Sequence, residues 1–137
     1  MNQSNPDSAR SGEETALRTV FIVEDAPEIY ARLVTLVEHA GGAQVVGQAD
    51  TPADAVSRIL LSRPDCVVLD YHLRGGTGLD VLRQIRAAGC TATVIVLTND
   101  PDPLYRRLCI AAGARWFLDK TTEFARVRDI VAGRDSA

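Results

Sequence analysis

Five short apolar runs, each followed by a stretch with helical spacing, constrain this chain more than any other feature. Thr19-Val20-Phe21-Ile22-Val23, Gln44-Val45-Val46-Gly47-Gln48-Ala49, Cys66-Val67-Val68-Leu69-Asp70, Thr91 through Leu97, and Arg115-Trp116-Phe117-Leu118 recur at intervals of roughly 20 to 25 residues. Runs this short, rich in β-branched residues and bounded by turn signals, suit strands buried on both faces. The second run has polar ends and fits the edge of a sheet. Strands alternating with helices imply parallel strands, right-handed crossovers and helices on both faces. The expected fold is α/β: one five-stranded parallel sheet covered on each side.

The helices are punctuated in the same way throughout. Ile29, Leu33, Leu36, Val37 and Ala40 follow Pro27, which suits a first helical turn, and Gly41-Gly42 ends the stretch. Thr51-Pro52-Ala53-Asp54 reads as a helix start with a capping threonine, its buried face supplied by Val56, Ile59 and Leu60. Leu79, Leu82 and Ile85 mark a third helix, and Leu104, Leu108 and Ala111 a shorter fourth. A fifth is expected from Thr121 or Thr122 to about Ala132, burying Phe124, Val127 and Val131. Residues 1–16 hold almost nothing to bury and read as a disordered arm. The expected domain is 17–133, with 134–137 as a short tail. An intact Met1 and a polar end after the last helix fit a stand-alone protein.

At 137 residues the chain can bury a core without staples. Its net charge of −3, with charges interspersed, argues against a nucleic-acid surface. No stretch approaches the length of a membrane span. Cys66, Cys90 and Cys109 are odd in number and widely spaced, without a zinc pattern, which fits a reducing, cytoplasmic setting.

The chemistry lies at the strand ends. In a parallel sheet all carboxyl ends share one edge, where ligands of open α/β folds bind. Glu24-Asp25 ends the first strand, Asp70 the third, Thr98 the fourth and Lys120 the fifth. Carboxylates about 5 Å apart repel by roughly 3 kcal/mol at an effective dielectric near 20. A cation relieves this, and a few oxygen ligands supplemented by water suit Mg²⁺. A carboxylate nucleophile beside a metal, a lysine and a hydroxyl can take a phosphoryl group as an aspartyl-phosphate. Of 15 basic residues 14 are arginine, so the lone lysine at Lys120 points to a need for a compact charge.

Phe21-Ile22-Val23-Glu24-Asp25, Val68-Leu69-Asp70 with Gly78 eight residues on, Val96-Leu97-Thr98 and Asp119-Lys120 together resemble a bacterial response-regulator receiver domain. The resemblance covers about residues 18 to 132. It implies the flavodoxin-like strand order 2-1-3-4-5. It also implies phosphoryl transfer to Asp70 from a sensor histidine kinase or a histidine phosphotransfer protein, with Mg²⁺ as cofactor. By it Asp25 is a direct metal ligand, Glu24 acts largely through metal-bound water, and the backbone carbonyl of His72 completes the set. Thr98 becomes the switch hydroxyl, Lys120 the cation paired with phosphate, and Phe117 the switch aromatic. The message would pass to a downstream protein through the face made by the fourth helix, fifth strand and fifth helix, without direct nucleic-acid or membrane binding.

The chain departs from the common family pattern in three places. Leu73-Arg74-Gly75-Gly76 replaces the usual Met-Pro loop and resembles receivers attached to helix-turn-helix regulators, so the chain also fits the receiver of a longer regulator. Thr121 follows the lysine where a cis proline is usual, leaving the Lys120–Thr121 peptide open between cis and trans. His72 and Asp100 occupy the two positions that tune phosphoryl lifetime in the family. Two other readings compete: a degenerate receiver that acts by binding alone, and an aspartate-nucleophile phosphatase. The phosphatase would want an aspartate at position 72, which is histidine, and a cap domain to close over substrate.

Overall fold

A computed structural model describes residues 17–134. The expected arm and the end of the expected tail lie outside them. The sheet strands are β1 (Arg18–Val23), β2 (Ala43–Ala49), β3 (Cys66–Asp70), β4 (Thr93–Thr98) and β5 (Trp116–Asp119). All pair in parallel, in the order β2-β1-β3-β4-β5. The helices are α1 (Pro27–Glu38), α2 (Pro52–Ser62), α3 (Gly78–Ala87), α4 (Pro103–Ala111) and α5 (Arg126–Val131). The glycine-rich loop after β3 folds into a two-residue antiparallel ladder, His72–Leu73 against Gly76–Thr77.

Strand alternation divides the core in two, because successive side chains point to opposite faces. Phe21, Val23, Val67, Leu69, Val94, Val96 and Phe117 meet α2, α3 and α4 through Ala55, Ile59, Leu82, Ile85 and Cys109. Val20, Ile22, Cys66, Val68, Ile95, Leu97, Trp116 and Leu118 meet α1 and α5 through Leu33, Val37, Val127, Ile130 and Val131. Every residue of β3 is buried, as its unbroken apolar run predicts. β2 alternates instead, as an edge strand does. Gly47 lies there because Phe21 needs the space: a Cβ on Gly47 would stand 2.5 Å from the Phe21 ring.

Caps set the helix entries. The Thr51 hydroxyl accepts from Asp54 N at 3.4 Å, and Pro52 occupies the first position of α2. α3 opens with a full capping box, in which Thr77 Oγ1 accepts from Asp80 N and Asp80 Oδ2 from Thr77 N, both at 3.2 Å. α5 is shorter than expected. Residues 121–125 form turns, held by Glu123 Oε1 accepting from Asp119 N and Asp119 Oδ1 accepting from Thr121 N, and the helix starts only at Arg126. No helix among the described residues is long and apolar enough to cross a membrane.

Candidate functional site

Parallel pairing brings the strand-end residues together at the carboxyl edge. Asp70 is the last residue of β3 and pairs with Leu97, while Thr98 ends β4 opposite Asp119. Glu24 follows the end of β1, its N–H donating to Ala49 O at 3.0 Å. One carboxylate oxygen from each of Glu24, Asp25 and Asp70 lies within 4.8 Å of the others. The Lys120 ammonium sits between two of these groups, 2.9 Å from Glu24 Oε1 and 3.2 Å from Asp70 Oδ1. Glu24, Asp70 and Thr98 are buried, and the Lys120 side chain is only 9% exposed.

Burial dominates the electrostatics. It pushes the Asp70 carboxyl up from 3.8 to about 6, and the Glu24 charge pushes the same way. Lys120 acts against both, and the Asp25 charge adds a smaller upward push. Three clustered carboxylates thus face one ammonium, which contacts two of them. Glu24 Oε2 accepts from Ala26 N at 3.1 Å, but the buried Oε1 accepts no well-formed hydrogen bond, its close neighbour being the Lys120 ion-pair contact. A cluster of oxygen donors with more negative charge than its one ammonium balances fits a small hard cation such as Mg²⁺.

The surrounding loops hold the site from several sides. Gly78 N donates to Tyr71 O at 2.6 Å, and a Cβ on Gly78 would stand 2.5 Å from the Asp70 carbonyl oxygen. Only glycine lets α3 begin this close to the acidic strand end. The Thr98 hydroxyl is turned into its own loop, accepting from Asp100 N at 2.9 Å and donating to Asp100 O at 3.2 Å. Lys120 N donates to Thr98 O at 2.8 Å. The Lys120–Thr121 peptide is trans, since no cis bond occurs among the described residues.

Of the sequence-predicted residues, the fold gathers Glu24, Asp25 and Asp70 within 4.8 Å of one another and sets Lys120 against Glu24 and Asp70. Thr98 lies on the same edge with its hydroxyl engaged elsewhere. Phe117 is buried under α4, where Arg106 Nη1 donates to its carbonyl at 3.0 Å and the guanidinium lies 5.8 Å from its ring centroid. The imidazole of His72 is exposed and stands edge-on to Tyr71, ring centroids 4.9 Å apart.

Three features escape the sequence reading. Lys120 neutralises Glu24 as well as Asp70. Tyr71, next to Asp70, stacks on Tyr105 of α4 at 4.6 Å and 19°. Glu123 also reaches back to Asp119, next to Lys120. The only advance signal for that last contact is an acid four residues after Asp119.

The response regulator receiver domain model matches residues 20–132. DesR of Bacillus subtilis, a transcriptional regulatory protein, is 30% identical over 120 residues, which cover 85% of this chain and 59% of DesR. The DNA-binding transcriptional activator DevR/DosR of Mycobacterium tuberculosis is 33% identical over 119 residues, covering 84% and 55%. The chain thus spans little more than half the length of these curated relatives. Among solved structures, the signal receiver domain of NarL from Mycobacterium tuberculosis superposes with a TM-score of 0.79 at 25% identity, over 89% of this chain and 99% of that one. A LuxR-family DNA-binding response regulator from Staphylococcus aureus gives 0.76 at 26% identity, over 85% and 99%. The sequence match and the structural match cover the same ordered domain, and by both the chain belongs to the response regulator receiver family, the signalling module of two-component systems.

Proposed function

We propose that Asp70 is the phospho-acceptor of a two-component or phosphorelay system in the cytoplasm, taking a phosphoryl group from the histidine of a sensor kinase or a phosphotransfer protein. The observation that carries this reading is the cluster of buried Glu24 and Asp70 with half-buried Asp25, the Lys120 ammonium held between Glu24 and Asp70. Glu24, Asp25, Asp70 and the His72 carbonyl would hold Mg²⁺, which supplies positive charge to the phosphoryl oxygens and lowers the cost of ionising Asp70.

The chain's own groups supply the rest. An ionised Asp70 oxygen attacks phosphorus, and an O–P bond forms as the donor's N–P bond breaks. The electron pair returns to the donor imidazole, which takes up a proton. Lys120 already touches Asp70 and can follow the new negative charge from carboxylate to phosphoryl oxygen. The Thr98 hydroxyl must leave Asp100 to donate there, and its release gives the switch a local trigger. Phe117 and α4 would carry the change to the α4-β5-α5 face, read by a protein partner. α4 suits this task because Cys109 is its single buried residue.

Incubation with Mg²⁺ and acetyl phosphate, followed by intact-mass measurement, tests the assignment. One hydroxylamine-labile phosphate adduct is expected, absent in Asp70→Asn and after chelation. No adduct from acetyl phosphate or from a phosphorylated histidine donor would overturn it.

A further inference from the structure

Lys120 has to present a buried ammonium to two carboxylates from the end of an edge strand. β5 is outermost in the sheet, with β4 on one side only. Lys120 N donates inward to Thr98 O, so by strand alternation the neighbouring Asp119 N–H points off the free edge. Among the described residues no strand meets it there. The Glu123 carboxylate does, with Oε1 accepting from Asp119 N at 3.0 Å.

Both oxygens of Glu123 are engaged. Oε2 pairs with Arg126 Nη1 at 2.9 Å, and the Arg126 guanidinium lies 5.0 Å from the ring centroid of Trp116, at the start of the same strand. The turn is closed from the other direction too: Thr121 N donates to Asp119 Oδ1 and Glu123 N to Asp119 O, both at 2.8 Å. Asp119 and Glu123 therefore bracket Lys120 in a reciprocal arrangement like a capping box, and Arg126 ties the bracket to Trp116.

We infer that Glu123 is a positioning residue for phosphoryl transfer: its carboxylate fixes the Asp119–Thr121 backbone and so aims Lys120 at Asp70. It touches neither substrate nor the carboxylate cluster and acts only through Lys120. This inference rests on the assignment of Asp70 as phospho-acceptor and extends it to the device that holds the lysine. The geometry asks two separable things of Glu123: an acceptor oxygen for Asp119 N–H, and a charge for Arg126. Glutamine keeps the first and loses the second.

The test is the rate of Asp70 phosphorylation by acetyl phosphate with Mg²⁺, in the full chain and in Glu123→Ala, Glu123→Gln, Lys120→Ala and the double variant Glu123→Ala/Lys120→Ala. Loss of one aligned hydrogen bond beside the lysine is expected to slow Glu123→Ala about five- to tenfold, with the circular dichroism spectrum unchanged. Glu123→Gln should stay within about twofold of the parent, since its amide oxygen still accepts. In the Lys120→Ala background, Glu123→Ala should have no further effect, which a general loosening of the fold would not produce. Hydrogen exchange at the Asp119 amide should quicken in Glu123→Ala and not in Glu123→Gln. A Glu123→Ala rate equal to the parent's, a Glu123→Gln rate as low as alanine's, or an equal slowing without Lys120 would each overturn the inference. A parent that takes no phosphoryl group at all would instead overturn the acceptor assignment.

Discussion

Asp70, the proposed phospho-acceptor, lies where a carboxylate is costly. Its folded pKa of about 6 lies above its ordinary 3.8, chiefly through burial. A carboxyl raised in this way favours folding below 3.8, where both states are protonated and the charge cost is absent. That contribution is lost as pH rises through about 6. Two pH units correspond to about 2–3 kcal/mol of strain in the metal-free protein above pH 7. Asp70→Asn should therefore be more stable than the parent by about that amount in urea with chelator at pH 8. The two curves should converge near pH 4, and equal stability at pH 8 would contradict the burial argument. Lys120 works against the same strain. Lys120→Ala leaves Glu24 and Asp70 buried without their ammonium, and should cost about 3 kcal/mol at pH 8.

The entry of α3 and the seating of α4 decide how Asp70 is presented. α3 starts against the acidic strand end because Gly78 offers no Cβ to the Asp70 carbonyl. Gly78→Ala should cost about 2–3 kcal/mol in thermal or urea unfolding, the scale of overpacking against backbone that cannot yield. A substitution at Gly89, where a Cβ meets nothing within 4 Å, would test only its positive φ of 89°. α4 is held differently, by Cys109 in the core, by Tyr105 stacked on Tyr71, and by Arg106 bonded to the Phe117 carbonyl. Tyr105→Ala should destabilise the domain by about 1 kcal/mol. Its larger effect should be faster amide exchange confined to α4, because the stack is a main tie between that helix and the segment after Asp70. Exchange that quickens equally in α3 would argue against it.

Across the whole molecule, the sheet separates two cores yet carries one site assembled from four of its five strands. A metal held by Glu24, Asp25 and Asp70, as proposed, would tie β1 to β3 and stabilise the domain as a unit. At a free Mg²⁺ concentration 100-fold above its dissociation constant, the gain should be about 2.7 kcal/mol. Unfolding midpoints should rise with Mg²⁺, return on chelation, and respond weakly in Asp25→Asn. A midpoint indifferent to Mg²⁺ in the parent would remove the metal from the proposal.

Much of this was readable in the amino-acid order, and for a physical reason. Strand and helix periods are local, so the unbroken run of Cys66 to Leu69 and the glycine stops located the elements. Parallel connectivity then placed Glu24, Asp25, Asp70, Thr98 and Lys120 on one edge without coordinates. Local pattern failed where side chains reach back along the chain. The fifth helix begins at Arg126 rather than Thr121 because Glu123 is bonded to Asp119, a contact that periodicity does not encode. The Tyr71–Tyr105 stack joins residues on different elements and carries no sequence signal of its own. Charge balance within the site also belongs to the tertiary structure. A list of acids and one lysine does not say which carboxylates the ammonium meets; burial at the sheet edge puts Lys120 between Glu24 and Asp70, leaving Asp25 half-buried without that contact.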